Sequence, residues 1–551
     1  MPKPFQHIER FRPGRSVFDL SHYKIFDADM GKLIPVLAKR MVPGDHFKIS
    51  DEIVIRMNPS VAPIMHEVNV YRHTFFVPLR LLWPKKRIPE TAPEESGSWE
   101  EFFTGGKDGT LEPAKPSYLA VGGSFPFFSL GDYFGFPCNK PLDVHIDPWY
   151  HRAYNFIWNE YYRDQNYMDE VEWDQPNVLY RCWEKDYFTS ALPWEQRGVA
   201  PALDIVGSTN AEFLYNTPNI WGMHQHNVGY MGNPAAFPNG ITGLFYNREG
   251  YLPAPGHHTV NLNATSDSVD VNQYVGTNFY PGFSPNDLKP LLNDNVVNLT
   301  GKVNAFEIND LRIAMRTQEF LERNMRAGSR YTEQLLARYG TSPRDERLQR
   351  PEYVGGARSP LIVSEVLQTS STDGISPQGN LAGHGMTVDR NRIGSYYAQE
   401  FGIIMTIMSI MPRPLYQQGL PRELLGTSRY DELIPEFVHL GEQPVYNAEI
   451  FAGNNRATNM GTFGFNGRYD EYRVAHNMVC GQLRNDHPQT LAFWHLGRHF
   501  ANQPALNSSF LGTQDIRKDW LAFPTRPAFV VSYGNRIRAV RPLPAIAIPR
   551  T

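Results

Sequence analysis

Three groups of side chains in this 551-residue sequence could support chemistry. The first combines tryptophans with carboxylates between residues 149 and 194, which are the residue types that a glycosidase uses to stack a sugar and cleave its glycosidic bond. The second is a set of histidines in two close pairs, which could ligate a metal ion. The third is a concentration of arginines in three parts of the chain, which could bind phosphate groups.

The first group supports the alternative hypothesis of a soluble β-sandwich carbohydrate-binding protein or glycosidase. Its members are Trp149, Trp158, Trp173, Trp183 and Trp194 with Glu160, Asp164, Asp169, Glu170, Glu172 and Asp174. A glycosidase needs two carboxylates at a fixed separation across the bond, and a sequence does not supply that separation. Aromatic residues at helical spacing are more often part of a core or a subunit interface, so this hypothesis stays secondary.

The histidine group consists of His224 and His226, followed about thirty residues later by His257 and His258. No carboxylate or thiolate lies near them, and histidines are common on surfaces built from turns. We therefore predict hydrogen-bonded or solvated histidines and neither a metal site nor a cofactor. The chain also lacks the phosphate-binding loop, the nucleophile elbow and the zinc-protease motif, so no enzyme is predicted.

The arginines are concentrated near both ends of the chain and in a helical stretch. Residues 311–350 contain nine arginines against five acids, and residues 517–551 contain seven basic residues against one acid. We predict nucleic-acid contacts for the two terminal groups. The predicted contact residues are Arg10, Arg12, Arg15, Arg536, Arg538 and Arg541. The competing interpretation is that these arginines join subunits or pair with carboxylates.

Composition limits the class of protein. Hydrophobic residues make up 41% and charged residues 20% of the chain, which is typical of an ordered globular protein. The net charge of −4 means that any nucleic-acid contact must come from a local basic surface. Three widely spaced cysteines form neither a disulfide framework nor a zinc site, and no apolar run is long enough to span a membrane. A soluble protein that folds in a cytoplasm is expected.

Patterning predicts a mainly β protein with long excursions between strands. The predicted strands are His46–Met57, Val68–Pro78, Phe401–Met411, Val445–Phe451, Thr490–Leu496 and Pro527–Tyr533. Helices are predicted from His145, with Asp147 as the cap, and over residues 305–339. The proline-rich tail from Arg536 to Arg550 is expected to be an edge strand or an extended arm. The predicted organisation is an extended arm at 1–44, a first part of the sandwich at 45–217, a surface insertion at 218–298 and a second part at 299–551.

Several long blocks resemble one family. They include RYTEQLLARYG (Arg330–Gly340), LQRPEYVGG (Leu348–Gly356) and VLQTSSTDGISPQGNLAG (Val366–Gly383), with further blocks over Phe18–Ile49 and Tyr416–Phe451. In order and spacing these blocks resemble the major capsid proteins of the microviruses, which are small icosahedral single-stranded DNA bacteriophages, and especially the gokushovirus-like branch. The similarity extends over nearly the full chain and is weakest between residues 84 and 298.

The resemblance implies an eight-stranded antiparallel jelly-roll β-sandwich of the viral capsid type, with long loop and helix insertions. It implies about 60 copies in a T=1 icosahedral shell around circular single-stranded DNA. In gokushovirus-like members a large insertion projects at the threefold axes, and the charge-poor segment 218–298 is the counterpart expected here. Residues proposed for host attachment within it are His224, His226, Tyr230, Phe237, Tyr246 and Tyr251.

The resemblance also implies partners. Relatives assemble with a scaffolding protein, a DNA pilot protein and a small basic DNA-binding protein, and they attach to a host surface receptor. Such a basic partner would explain why the chain itself carries no strong positive charge. The expected location is the virion, after assembly in the bacterial cytoplasm and without membrane insertion.

Overall fold

The fold is described from a computed structural model. The structure describes residues 14–83, 97–104, 110, 113–118, 122–198, 308–326, 333, 336–337, 344–367 and 381–546. The chain divides into two compact units, one formed by residues 1–199 with 320–551 and the other by residues 200–319. Of the second unit, only residues 308–319 are described. The predicted surface insertion, with all six residues proposed for host attachment, lies outside the described residues, as do Arg10 and Arg12.

Twelve strands and eight α-helices are used as landmarks. The strands are β1 Ser16–Asp19, β2 His22–Ala28, β3 Ile34–Met41, β4 His46–Met57, β5 Val68–Pro78, β6 Glu352–Pro360, β7 Ile362–Leu367, β8 Leu381–Tyr397, β9 Gly402–Pro412, β10 Glu442–Tyr446, β11 Thr462–Gly467 and β12 Phe529–Arg541. The helices are α1 Leu79–Leu82, α2 Trp99–Thr104, α3 Leu130–Phe134, α4 Trp149–Ile157, α5 Ile308–Arg326, α6 Asn447–Ile450, α7 Arg456–Asn459 and α8 Ser508–Leu511. Helix α4 continues into a π-helical turn, Trp158–Tyr162.

The larger sheet is antiparallel and has six strands in the order β1-β12-β4-β8-β7, with β2 also paired to β12. Its strands alternate between buried and exposed residues. In β12, Phe529, Val531 and Tyr533 are buried, whereas the residues between them are more exposed. Strand β4 shows the same period of two. One face of this sheet therefore packs on the core and the other does not.

The smaller sheet is antiparallel, with four strands in the order β3-β9-β5-β6. Every residue of β9 is buried. This follows from cover on both faces, because helix α4 packs on one side through Trp149, Ala153 and Tyr154 while the six-stranded sheet packs on the other. The continuous apolar run that predicted a doubly covered strand at Phe401–Met411 is thus confirmed, with a shift of one residue.

The two sheets share one interior, which makes the fold a mainly β, antiparallel sandwich. Apolar residues from both sheets meet there. They are Ile34, Val36, Ile53, Ile55, Val68, Val70, Met408, Ile410, Val531 and Tyr533. A second cluster near the other end of the strands joins Phe47 and Ile537 of the larger sheet to Phe76 and Ile404 of the smaller one. Burial of this apolar area is the main force that holds the sheets together.

A charged cluster lies in this interior and links the sheets. Arg72 of β5 is 0% exposed, and its Nη1 atom lies 3.3 Å from the Oδ2 atom of Asp51 on β4. Its Nη2 atom lies 3.2 Å from Asp389 of β8 and also donates to Ser359. The Tyr533 hydroxyl donates to Asp51 at 2.9 Å. Burial raises the pKa of Asp51 in spite of the guanidinium. Burial also tends to raise the pKa of Asp389, but hydrogen bonds from Ser359 and Arg72 hold this pKa below its usual value.

Several sequence-based expectations are corrected. The segment 1–44, expected to be an arm without early regular structure, contains β1, β2 and β3, because its residues pair with β12 and β9. The tail from Arg536 was expected to be an edge or arm, but residues 536–541 continue β12, which has partners on both sides.

Three smaller expectations also differ. The segment Thr490–Leu496 forms a 3₁₀ turn, Ala492–Trp494, and not a strand. The strand predicted at Val445–Phe451 ends at Tyr446, where α6 begins. Asp147 does not cap α4, because its carboxylate contacts His145 and Arg40 instead.

Candidate nucleic-acid interface

The outward face of the six-stranded sheet is rich in cations. Six exposed cations lie on β4, β8 and β12, which are adjacent strands, and we call this set the basic face. Its members are Lys48, Arg56, Arg390, Arg392, Arg536 and Arg538. Neighbouring strands lie about 4.8 Å apart, so these charges share one continuous surface.

Strand pairing fixes where these cations stand. Arg538 is opposite Lys48 on one side and opposite Asp19 on the other. Arg536 is opposite Ser50, which in turn is opposite Arg392. Acidic side chains reduce the positive charge, among them Asp19, Asp27, which is opposite Val530, and Glu52, which accepts a 2.9 Å hydrogen bond from the Nη2 atom of Arg536. The basic face therefore carries an excess of positive charge in a chain whose net charge is −4.

Apolar and aromatic side chains stand beside these cations on the same face. They are Tyr23, Ile25, Met386, Val388 and Val530, all exposed. Among the described residues, nothing packs over this face as α4 packs over the smaller sheet. An exposed apolar surface of this kind indicates a binding partner, and cations beside an exposed aromatic ring, here that of Tyr23, are found on surfaces that bind single-stranded nucleic acid.

The structure distributes the predicted contact arginines among different environments. Arg536 and Arg538 lie on the basic face. Arg541 does not present a free charge, because its guanidinium donates to both carboxylate oxygens of the buried Asp45, at 3.2 and 2.9 Å. Arg15 lies over the ring of Tyr397 with its Cζ atom 5.8 Å from the centroid. The structure therefore places two of the six predicted residues together on this face.

Sequence reasoning missed four members of the basic face. Lys48 and Arg56 could have been predicted from the period of two in β4, because they alternate with its apolar residues and so point to the other face of the sheet. Arg390 and Arg392 could not have been predicted in this way, because β8 contains several charged residues and glycines and shows no periodic pattern typical of a strand.

In the tryptophan and carboxylate group, one of the five tryptophans is exposed, Trp194. Trp149, Trp158, Trp173 and Trp183 are buried in the core, so their faces are covered by other side chains. Three of its six carboxylates are engaged in ion pairs: Arg152 binds Asp174, Arg163 binds Glu170 and Lys185 binds Asp164. These contacts give the group a role in packing.

Within the described ranges, no cluster of three or more histidine, cysteine or acidic side chains is arranged to hold a metal ion. In the same part of the chain, none of the helices has the length and apolar character needed to cross a membrane.

Comparison with known families identifies the chain's class. A family model described as capsid protein (F protein) matches residues 7–551. The chain belongs to this family. It is a microvirus capsid protein, and thus a structural component of a phage virion.

Individual relatives agree with this assignment. Capsid protein VP1 of Chlamydia phage 1 is 31% identical over 602 residues, with 100% of this chain and 98% of that protein covered. Capsid protein VP1 of Bdellovibrio phage phiMH2K is 31% identical over 566 residues, covering 100% and 96%. Capsid protein VP1 of Spiroplasma virus 4 is 28% identical, covering 97% and 95%. The predicted family is therefore confirmed.

Proposed function

We propose that about 60 copies of this capsid protein form a T=1 icosahedral shell around circular single-stranded DNA, with the basic face directed toward the DNA. The observation that carries this proposal is the asymmetry of the sandwich. In the smaller sheet the strand β9 is buried along its whole length, whereas the larger sheet leaves one face bare and basic. A shell protein needs one surface that attracts a polyanion, and this face supplies it.

We further infer an eight-stranded jelly roll. Taking β2-β12-β4-β8 from one sheet and β3-β9-β5-β6 from the other gives two four-stranded antiparallel layers. Successive strands along the chain alternate between these layers from β2 to β5, as a jelly roll requires. On this view β1 and β7 are additions to the edges of the larger sheet.

DNA contact is tested with the triple variant Arg390→Ala, Arg392→Ala, Arg538→Ala. Binding of the unassembled subunit to an oligothymidine is measured as a function of salt concentration. We expect weaker binding and a salt dependence whose logarithmic slope falls by about 2, because three phosphate contacts are lost. Arg358→Ala is the matched control, since Arg358 is an exposed arginine on β6 of the other sheet. An unchanged slope in the triple variant would contradict the inward orientation of the basic face.

Self-association is supported by a second exposed surface, which we call the apolar patch. Its members are Leu424, Tyr430, Leu433, Leu440, Tyr472 and Val474, all exposed. The segments that carry them are joined, because the Tyr469 hydroxyl donates to the carbonyl oxygen of Glu432 at 2.9 Å and Arg468 donates to the carbonyl oxygen of Tyr430. An exposed apolar patch on an ordered surface marks a protein interface, and in a shell the neighbour is another copy.

The apolar patch is tested with Leu424→Asp combined with Leu440→Asp. Leu424 is 73% and Leu440 is 64% exposed, so the folded subunit should tolerate both changes. Each buried leucine contributes about 1.5–3 kcal/mol to an interface, and this loss recurs in every copy. We expect soluble, folded subunits that no longer form shells, measured by sedimentation and electron microscopy. Leu424→Met with Leu440→Met keeps the surface apolar and should assemble. Normal shells from the aspartate variant would rule the patch out as an interface.

Host attachment is proposed for the segment 218–298, on the basis of its low charge and the resemblance described above. Deletion of residues 225–290 is expected to spare shell formation and to reduce adsorption to host cells. Loss of all assembly would instead assign the segment a structural role. Scaffolding, DNA pilot and small basic DNA-binding proteins are proposed as assembly partners on the same resemblance.

A further inference from the structure

Two histidines accept hydrogen bonds from the backbone of the segment 494–498: His66, in the loop at 64–67, and His495, within the segment itself. The backbone N–H of Leu496 donates to the Nδ1 atom of His66 at 3.3 Å. The backbone N–H of Gly497 donates to the Nδ1 atom of His495 at 2.8 Å. The backbone N–H of Met65 also donates a hydrogen bond to the carbonyl oxygen of Trp494 at 2.8 Å, which attaches the segment to the loop. The side chain of Leu496 enters the core from this segment.

These contacts determine the protonation state of both rings. A ring nitrogen that accepts a hydrogen bond from an amide carries no proton, so Nδ1 is bare in His66 and in His495. Each Nε2 atom faces a carbonyl oxygen, that of Arg413 for His66 and that of Leu483 for His495, both at 2.7 Å. Each Nε2 must therefore carry the proton, and both histidines are held in one neutral tautomer.

The charged groups around the two rings do not favour the imidazolium strongly. His66 has the acidic Glu67 beside it and faces His495, while His495 has both Arg517 and Asp519 nearby. Burial is the largest influence on each. It lowers the pKa of His66 to about 4 and lowers the pKa of His495 below its usual value.

We propose that His66 and His495 form a proton-operated clamp, which releases the segment 494–498 in acid while the two sheets remain folded. Protonation adds a hydrogen to Nδ1, which then faces an amide N–H, and two donors cannot bond to each other. The amides of Leu496 and Gly497 then lose their acceptors inside the protein, which destabilises the clamped state. Release of Leu496 then opens the adjoining cavity of about 310 Å³, which is lined by Trp183, Phe500 and Phe510.

The direction of the pH effect follows from the two protonation states. When the segment is released, both His66 and His495 regain an ordinary pKa of about 6.5, so the released state takes up protons at a higher pH than the clamped state does. The clamp is therefore at full strength above about pH 6.5 and weakens as the pH falls toward 4.

Hydrogen–deuterium exchange of the full chain tests the clamp, with rates corrected for the intrinsic effect of pH. Between pH 7.5 and 4.5, we expect protection of the amides at 494–498 to fall at least about tenfold, while β9 keeps its protection. In His66→Gln with His495→Gln, the glutamine can donate and accept but does not titrate, so protection should not depend on pH. His499→Gln is the control, because His499 is exposed, directly follows the segment and bonds to Asp486.

Three results would overturn the clamp. The first is wild-type protection at 494–498 that persists at pH 4.5, which needs no variant to observe. The second is an equal loss of protection in the double glutamine variant. The third is simultaneous loss in β9, which would mean general acid unfolding and not a local release.

Discussion

Replacement of Arg72 by alanine is expected to lower the free energy of unfolding by about 3–5 kcal/mol. The guanidinium is 0% exposed and lies between Asp51 and Asp389, so its removal leaves the buried Asp51 carboxylate without a cation. A loss of this size approaches the whole stability of many domains, and a large fraction of the chain should be recovered unfolded. Urea denaturation of the unassembled subunit, followed by tryptophan fluorescence, measures the effect.

Two companion variants separate this interpretation from a general sensitivity to arginine loss. Arg358→Ala removes an exposed arginine that pairs with Glu67, and an exposed pair should contribute about 1 kcal/mol or less. Arg72→Met combined with Asp51→Asn removes both charges, so the double variant should lose less than the sum of the two single changes. Equal losses of unfolding free energy in Arg72→Ala and Arg358→Ala would show that the buried ion pairs contribute no more to stability than an exposed pair.

Substitution of His151 by phenylalanine is expected to stabilise the capsid protein, and more so in acid. His151 in α4 is buried, and neither Nδ1 nor Nε2 has a hydrogen-bond partner. Its ring stacks on Tyr118 with centroids 3.7 Å apart, so a phenyl ring can occupy the same position. Removal of two unpaired buried polar atoms should add about 1–3 kcal/mol at neutral pH.

The acid effect follows from the pKa of His151, which burial lowers to about 3 against a weaker opposing effect of Asp174. The unfolded chain takes up this proton near pH 6.5, so the folded wild type loses stability as the pH falls from 6.5 toward 3. Phenylalanine does not titrate. The advantage of the variant should therefore grow by about 3 kcal/mol between pH 7 and pH 4.

Urea denaturation at both pH values measures this difference. His487→Phe, at an exposed position, should show no such growth. A constant difference between wild type and His151→Phe would mean that His151 is protonated inside the folded protein.

The sequence predicted those strands whose own residues show a recognisable pattern of apolar positions. Strand β4 alternates, β5 is rich in β-branched and aromatic residues, and β9 is apolar throughout, so each shows its own signature. Strand β8 lacks one because close packing requires glycine there. A Cβ atom on Gly383 would lie 2.2 Å from the Oγ atom of Ser60. A strand that must carry glycine for this reason resembles a loop in its amino-acid composition.

The basic face was only partly predictable for a related reason. Arg536 and Arg538 were identified as basic residues near the end of the chain, but their use depends on which strands lie beside them. The ion pair of Arg541 could not be predicted from local sequence, because its partner Asp45 is almost five hundred residues away along the chain. Pairing between such distant residues is a property of topology and not of local pattern.

The position of β12 has a consequence for how the chain is made. Strands β1, β2 and β4 lie near the beginning of the sequence, and all three take β12 as their neighbour. During synthesis they must wait with unpaired edges until residues 529–541 have been translated, which exposes them to other nascent chains. A subunit halted before that point leaves the edges of β1, β2 and β4 that face β12 unpaired, whereas the chain with β12 in place pairs them. Copies truncated before β12 are therefore expected to associate with other chains through these edges.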